Sequence, residues 1–419
     1  MIARRPMAHP VAYVGSVPAL SANRPRTREE LFLVGVLAIA GLVDWFHLIR
    51  FASISVLALL TGVYAFLSWV LWIGQGSKRR HIASTVRPFL IFVLWILSSF
   101  IWFPPNQDGI QNFLVLAAFV GITLLGENAT FCVRDTGWLI RNLVRATALA
   151  CVLYTVFLLL GGLGSNLVFH ARTFATFVLI GMAWFLACWR YGSKHGLAAA
   201  LVIVFLIILS LSRMALTTAC LLFPLAWLGQ SNWRRQLRLF ATALVILVLL
   251  YTAVSHFEPL RKRFALDADV ASLNGDEAAE YTSGRFTYWV VTLASSLESP
   301  WIGHGAGSSA TLISSMFPVD SPLDEPLRLL HDYGAVGLAL FFYAAWRLVR
   351  KTWKFWREAE RRRLATSRLH LAAFLAVVGV FFPMITENSL MYLFIMAPLG
   401  VFLGATLGLA RATGLEAGQ

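Results

Sequence analysis

Long apolar runs dominate the chain, and polar residues do not alternate with them. They fall at about 31–49, 51–74, 88–103, 109–126, 143–161, 173–190, 196–212, 214–230, 238–256, 327–347, 369–385 and 388–409. A helix needs about 20 apolar residues to cross a hydrocarbon layer. Strands of a membrane barrel would instead alternate with period two. The pattern predicts an all-α polytopic membrane protein with about twelve transmembrane helices. One connection is far longer than the rest. Residues 257–326 form a loop of 70 residues, a length that usually carries function. Within it Phe286, Trp289, Leu293 and Leu297 recur at helical spacing. This predicts an amphipathic helix over 284–298, lying flat on the membrane surface against the spans. Pro300 and Gly303-His304-Gly305 should end it.

Composition agrees with the pattern. Hydrophobic residues make up 58% of the 419, charged residues only 13%, and the mean hydropathy is +0.71. Soluble domains carry about a quarter charged residues. A soluble enzyme, a disordered chain and a disulfide scaffold are thereby excluded. The four cysteines, Cys132, Cys151, Cys188 and Cys220, form no CxxC pair. They suggest neither zinc nor disulfides.

Charge then sets the orientation. The net charge is +14, which in a soluble protein would point to nucleic acid. If the N-terminus lies inside and the spans alternate, 27 of the 35 basic residues fall on the inner side. That is the positive-inside pattern. It predicts twelve spans with both termini cytoplasmic, and no nucleic-acid partner. The divisions expected are a basic tail at 1–30, transmembrane helices 1–9 over 31–256, the outer loop at 257–326, helices 10–12 over 327–409, and a tail at 410–419. Arg4, Arg5, Arg24, Arg26 and Arg28 precede no clean apolar core with a cleavage site. The first thirty residues therefore read as a tail and not a cleaved signal.

The basic residues left outside are Arg50, Arg172, Arg213, Arg261, Lys262, Arg263, Arg285 and Arg328. Arginine at an apolar boundary either snorkels to headgroups or meets an anion. Both readings stand for Arg50 and Arg172. Arg213, in a very tight connection, and Arg285, at the start of the amphipathic helix, favour the anion. Arg328 starts the tenth span. Guanidinium forks suit phosphate oxygens and keep their charge, so these residues are candidates for a pyrophosphate clamp. Asp324, Glu325 and His331 are candidate bases toward a sugar hydroxyl. The alternatives are that the two acids cap a helix with Pro326 in its first turn, and that His331 is packed and hydrogen-bonded. For His304 the turn itself is the simpler reason. No HExxH, Walker loop or Rossmann fingerprint occurs on the outer side, and no metal or other cofactor is expected. A transporter would be expected to carry repeats or ionisable residues at mid-membrane. Only Asp44, His47 and Glu387 come near this, all at span ends, and no repeat is evident.

Two stretches resemble the O-antigen ligase and O-antigen polymerase superfamily of bacterial inner-membrane glycosyltransferases. One is Leu211-Ser212-Arg213-Met214-Ala215-Leu216. The other runs from Ser283-Gly284-Arg285-Phe286-Thr287-Tyr288-Trp289 through Ser299-Pro300-Trp301-Ile302-Gly303-His304-Gly305-Ala306-Gly307 to Leu327-Arg328-Leu329-Leu330-His331-Asp332-Tyr333-Gly334-Ala335-Val336-Gly337. The resemblance implies a twelve-span fold with its site at the periplasmic surface. It implies a metal-independent, inverting transfer of a glycan from undecaprenyl pyrophosphate. The acceptor would be another lipid-linked glycan, lipid A core or protein, with polymerisation of O-antigen or exopolysaccharide repeat units slightly favoured over ligation. It implies that Arg213 and Arg285 hold the pyrophosphate. One departure stands out. The family's His-Asn pair falls on Leu323-Asp324. The base would then be Asp324 or Glu325, or His331 reaching in from deeper in the helix; otherwise the chain is a structural partner that has lost activity.

Overall fold

A computed structural model describes residues 27–42, 50–51, 54–75, 82–129, 133–161, 171–228, 285–317 and 324–415. The expected ninth span at 238–256, and Arg261, Lys262 and Arg263, lie outside the described residues, as does most of the tail at 1–30. The described chain is mostly helical; its only strands among the described residues are two of two residues each, in which Arg50 pairs with Ser55 and Phe51 with Ile54.

Among the described residues, eight helices precede the long connection. They are α1 (Arg28–Ala40), α2 (Val56–Gly74), α3 (Arg87–Ser99), α4 (Gln107–Ala129), α5 (Val133–Gly161), α6 (Ala171–Arg190), α7 (Lys194–Leu209) and α8 (Arg213–Ala226). Then come α9 (Arg285–Ser296), α10 (Ser308–Met316), α11 (Glu325–Arg361), α12 (Ser367–Phe381) and α13 (Leu393–Ala412). Six helices among the described residues are long and apolar enough to cross a membrane, and α3, α7 and α8 are shorter apolar helices. Most bounds lie within a few residues of the apolar runs.

Local chemistry explains the ends. Thr27 and Glu30 form a capping box at α1, satisfying two otherwise orphaned amides reciprocally. Ser55 caps α2 and Ser193 caps α7. The expected tenth span ends near 347, yet α11 continues to Arg361. Its polar extension carries Arg357–Glu360, Glu358–Arg361 and Glu358–Arg362 pairs at i,i+3 and i,i+4, the spacing that supports a helix in water. Arg361 and Arg362 also hold the Glu358 carboxyl below its ordinary value through their hydrogen bonds.

The core forms around α4, α6, α12 and α13. The apolar window of α13 is enclosed along its whole length, whereas that of α2 is only 22% buried and that of α5 28%. The outward side chains of α2 and α5, such as Phe66, Ile73, Val152 and Leu159, are large and apolar. Such a surface suits hydrocarbon and not water. α4 and α13 cross closely at small residues: a Cβ on Gly126 would stand 3.1 Å from the Gly404 Cα.

Candidate active site

The site starts from a break in α11. Gly334 has φ +67° and ψ −175°, a conformation open to glycine and costly to other residues. A Cβ there would also lie 2.2 Å from the Trp301 carbonyl oxygen. The break frees backbone groups that an unbroken helix would pair. The 300–305 loop takes them up. Ala335 N donates to Pro300 O at 2.7 Å and Val336 N to Trp301 O at 3.2 Å. His304 N donates to His331 O and Gly305 N to Asp332 O, both at 2.8 Å. Trp95 Nε1 donates to Tyr333 O at 3.1 Å. Every freed group named here has a partner, as a buried break requires.

The break fixes His331 and Asp332 on the loop side. Asp332 is fully buried and sits at the N-terminus of α10. It accepts from Ser309 N at 2.8 Å, Gly307 N at 3.2 Å and Ser308 Oγ at 3.1 Å. A carboxylate is at home there, against free amides and the positive helix end. His331 Nδ1 lies 3.3 Å from Asp332 Oδ1 and 3.2 Å from Ser308 Oγ. Its Nε2 lies 3.2 Å from Ser295 Oγ on α9. A carboxylate only accepts, so the hydrogen belongs on Nδ1 and the lone pair on Nε2. The Ser295 hydroxyl then donates to His331. His304 stacks on His331 with ring centroids 4.7 Å apart, and its Nε2 donates to the Ser295 carbonyl at 2.9 Å.

The other predicted residues fall as follows. Glu325 is fully buried. It takes the Arg328 Nε at 2.7 Å through one oxygen and the Leu390 amide at 2.9 Å through the other. Arg328 is equally buried, with Nη2 2.5 Å from Glu325 and Nη1 3.9 Å from Asp332. The anion-binding arginine expected at the start of the tenth span is thus a buried, internally paired one. Asp324 occupies the N-cap position of α11 without capping it; its carboxylate accepts from the Trp289 indole. Arg172 is the second residue of α6 and is half-buried. Arg213 is the first residue of α8 and is also half-buried. Leu211, two residues before it, is held at φ +57°, and the Ser212 hydroxyl is buried without a hydrogen-bond partner among the described residues. Arg285 opens α9; its side chain, like that of Arg50, lies outside the description.

α9 forms over Arg285–Ser296, within the amphipathic helix expected over 284–298. α9 packs against α11; its Thr292 and Ser296 are buried, while Phe286, Val290, Leu293 and Leu297 are exposed. Small residues let two helices approach closely, so the apolar stripe is turned away from the bundle, and Trp289 turns in to meet Asp324.

Sequence reasoning missed Ser295, Ser308, Trp95 and the role of His304. The alternating glycines 303, 305 and 307 signalled a backbone loop in close contact, and His304 lies between two of them. Nothing in the sequence pointed to Ser295.

Residues 198–342 match the family model described as O-antigen ligase. The matched segment contains Arg213, Arg285, the 300–307 loop, Arg328, His331, Asp332 and the Gly334 break. The match supports the O-antigen ligase and polymerase superfamily, and with it a glycan-transferring membrane protein. No curated protein matches the chain.

Proposed function

We propose that this chain is a bacterial inner-membrane enzyme that moves a glycan from undecaprenyl pyrophosphate to an acceptor at the periplasmic face. Its reaction is the polymerisation of O-antigen or exopolysaccharide repeat units. It is a multi-pass protein of twelve spans with both termini cytoplasmic. The observation that carries the reading is the family match over residues 198–342. A second reading, ligation of the finished glycan to lipid A core, is favoured by the family's own description.

The chemistry needs a countered leaving group and a hydroxyl with somewhere to send its proton. The acceptor oxygen attacks the anomeric carbon on the face away from pyrophosphate. The carbon–oxygen bond to pyrophosphate breaks, its electron pair leaves with the phosphate, and the anomeric configuration inverts. Arg213 and Arg285 counter the charge that develops there, with Arg172 as further support and without a metal. Arg213 suits the role because it opens a helix, where amides and dipole also favour an anion. The proton passes to His331 Nε2, directly or through Ser295 Oγ, and Asp332 stabilises the imidazolium. In this reading Glu325 and Arg328 brace the broken helix, and Asp324 positions α9 through Trp289. Of the three candidate bases, His331 is favoured because its lone pair meets a half-buried hydroxyl. Both acids are engaged within the protein.

A deletion strain of the source bacterium tests this, with surface and lipid-linked glycans resolved by size on a gel. Single repeat units on the acceptor mean a polymerase. A bare acceptor, with full-length chains left on undecaprenyl pyrophosphate, means a ligase. Unchanged glycans of both kinds overturn the reading.

A further inference from the structure

α5 and α6 run antiparallel and pinch together at Thr147 and Gly181. A Cβ added to Gly181 would stand 2.4 Å from the Thr147 side chain. α1 presses on the same level of α5, where a Cβ on Gly41 would lie 2.7 Å from the Ala146 carbonyl oxygen. From this pinch toward the start of α5 the two helices leave a gap. It is a cavity of about 340 Å³, lined by Gly137, Ile140, Arg141, Val144, Arg145 and Trp184. Its size falls in the range of small-ligand sites. Its walls are apolar, and Gly137 supplies no side chain to fill it.

Two charges stand at this apolar gap. Arg141 and Arg145 are one turn apart and exposed. Neither has a hydrogen bond or ion pair among the described residues. Like charges at i,i+4 repel, and a membrane boundary leaves less water to screen them. An anion between them with an apolar tail in the gap would answer both features. The site also lies at the far end of the bundle from Arg172. Trp184 is twelve residues along α6 from Arg172, or about 18 Å at 1.5 Å per residue. Arg190, in the last turn of α6, marks the same end.

We propose that this groove binds one anionic phospholipid. The headgroup phosphate bridges Arg141 and Arg145, and part of an acyl chain lies between Ile140, Val144 and Trp184. The site is independent of the glycan-transfer reading and stands at the opposite membrane face from Arg172 and Arg213.

Native mass spectrometry of the full chain, released from detergent after incubation with phosphatidylglycerol or phosphatidylcholine, tests it. Phosphatidylglycerol should be retained in preference to phosphatidylcholine. An Arg141→Ala/Arg145→Ala double variant should lower the phosphatidylglycerol-bound fraction at least ten-fold. Val144→Trp, which fills the groove without changing charge, should lower it as well. Arg350→Ala/Lys354→Ala removes an exposed like-charge pair at the same spacing on α11 and should leave it unchanged. The exposed arginine variants should keep the wild-type melting temperature. Equal retention of the two lipids overturns the proposal. So does equal loss from both double variants, since bulk charge would then be responsible. Displacement of phosphatidylglycerol by excess inorganic phosphate also overturns it, because the site would then take a free anion.

Discussion

His331 and Ser295 meet across two helices that are far apart in sequence. The imidazole Nε2 stands 3.2 Å from the serine hydroxyl, while Nδ1 faces the buried Asp332 carboxylate at 3.3 Å. The order carboxylate, imidazole, hydroxyl ends at a half-buried residue, where a substrate hydroxyl has access. If His331 is the base, His331→Ala should lower transfer by about 10²–10⁴-fold. Ser295→Ala should cost roughly ten-fold or less, since the acceptor hydroxyl can approach the imidazole directly. Glycan chain length in a complemented deletion strain, with membrane protein level as control, reads both. A His331→Ala variant with wild-type chain lengths would remove the base assignment.

Asp332 has a second duty that must be separated from the first. It receives the α10 amides of Gly307 and Ser309 as well as facing the imidazole. Asp332→Asn keeps the size but removes the charge at the helix end and beside His331. It should slow transfer about as much as His331→Ala and should also lower the melting temperature. Ser308→Ala takes away only one hydrogen bond to the carboxylate, so its cost should stay near 1 kcal/mol. Thermal unfolding in detergent, paired with the glycan gel, distinguishes these outcomes.

Glu325 and Arg328 supply the sharpest test of brace against clamp. Both are buried and joined at 2.5–2.7 Å. Removing one partner of a buried pair typically costs about 3–5 kcal/mol, because the other charge is left uncompensated. Arg328→Met and Glu325→Leu should each lower the melting temperature strongly. Combined, they should recover part of the loss, and the double variant should retain transfer. A stable double variant without transfer would return Arg328 to the pyrophosphate.

Much of the fold was legible because membrane helices announce themselves by length and apolarity. The runs at 109–126 and 173–190 became α4 and α6 with bounds shifted by only a few residues. The polar extension of α11 was not legible in this way, since its support comes from charge pairs and not from apolarity. The site was legible by residue type but not by connection. Arg328 looked like an outside arginine facing an anion, whereas tertiary packing gives it Glu325. The apolar stripe of α9 was visible, but not that the small Thr292 and Ser296 would be buried in its place. Ser295 carries no local signal. Its meaning arises only when the loop at 300–305 folds against the freed backbone of Gly334.

That backbone break carries its own prediction. Gly334→Ala would force a Cβ into a conformation that side chains rarely adopt, 2.2 Å from the Trp301 carbonyl oxygen. Strain of this kind costs of order 1–3 kcal/mol before the contact is counted. The variant should be less stable, and its transfer should fall further than its abundance, because His331 and Asp332 are positioned by the same hydrogen bonds. Gly337, where a Cβ would meet the Tyr333 and Trp95 side chains, provides a comparison: Gly337→Ala should destabilise without needing a left-handed residue. Transfer per folded molecule that is unchanged in Gly334→Ala would show that the break does not set the geometry of the base.

The arginine pair bears directly on the donor. Arg213→Ala and Arg285→Ala should each abolish transfer while the protein remains in the membrane at wild-type level. Arg213 is half-buried at a helix start and Arg285 opens α9, so truncation should leave the bundle intact. Lysine keeps the charge but lacks the planar fork that grips two phosphate oxygens at once. Arg213→Lys and Arg285→Lys should therefore retain a partial activity, graded between wild type and alanine. If the four variants all reach the membrane and all give normal glycan length and attachment, the pyrophosphate clamp is excluded. If the lysine variants match alanine while the protein level holds, bidentate contact and not charge is what the donor requires. Immunoblotting of membranes beside the glycan gel separates loss of protein from loss of chemistry.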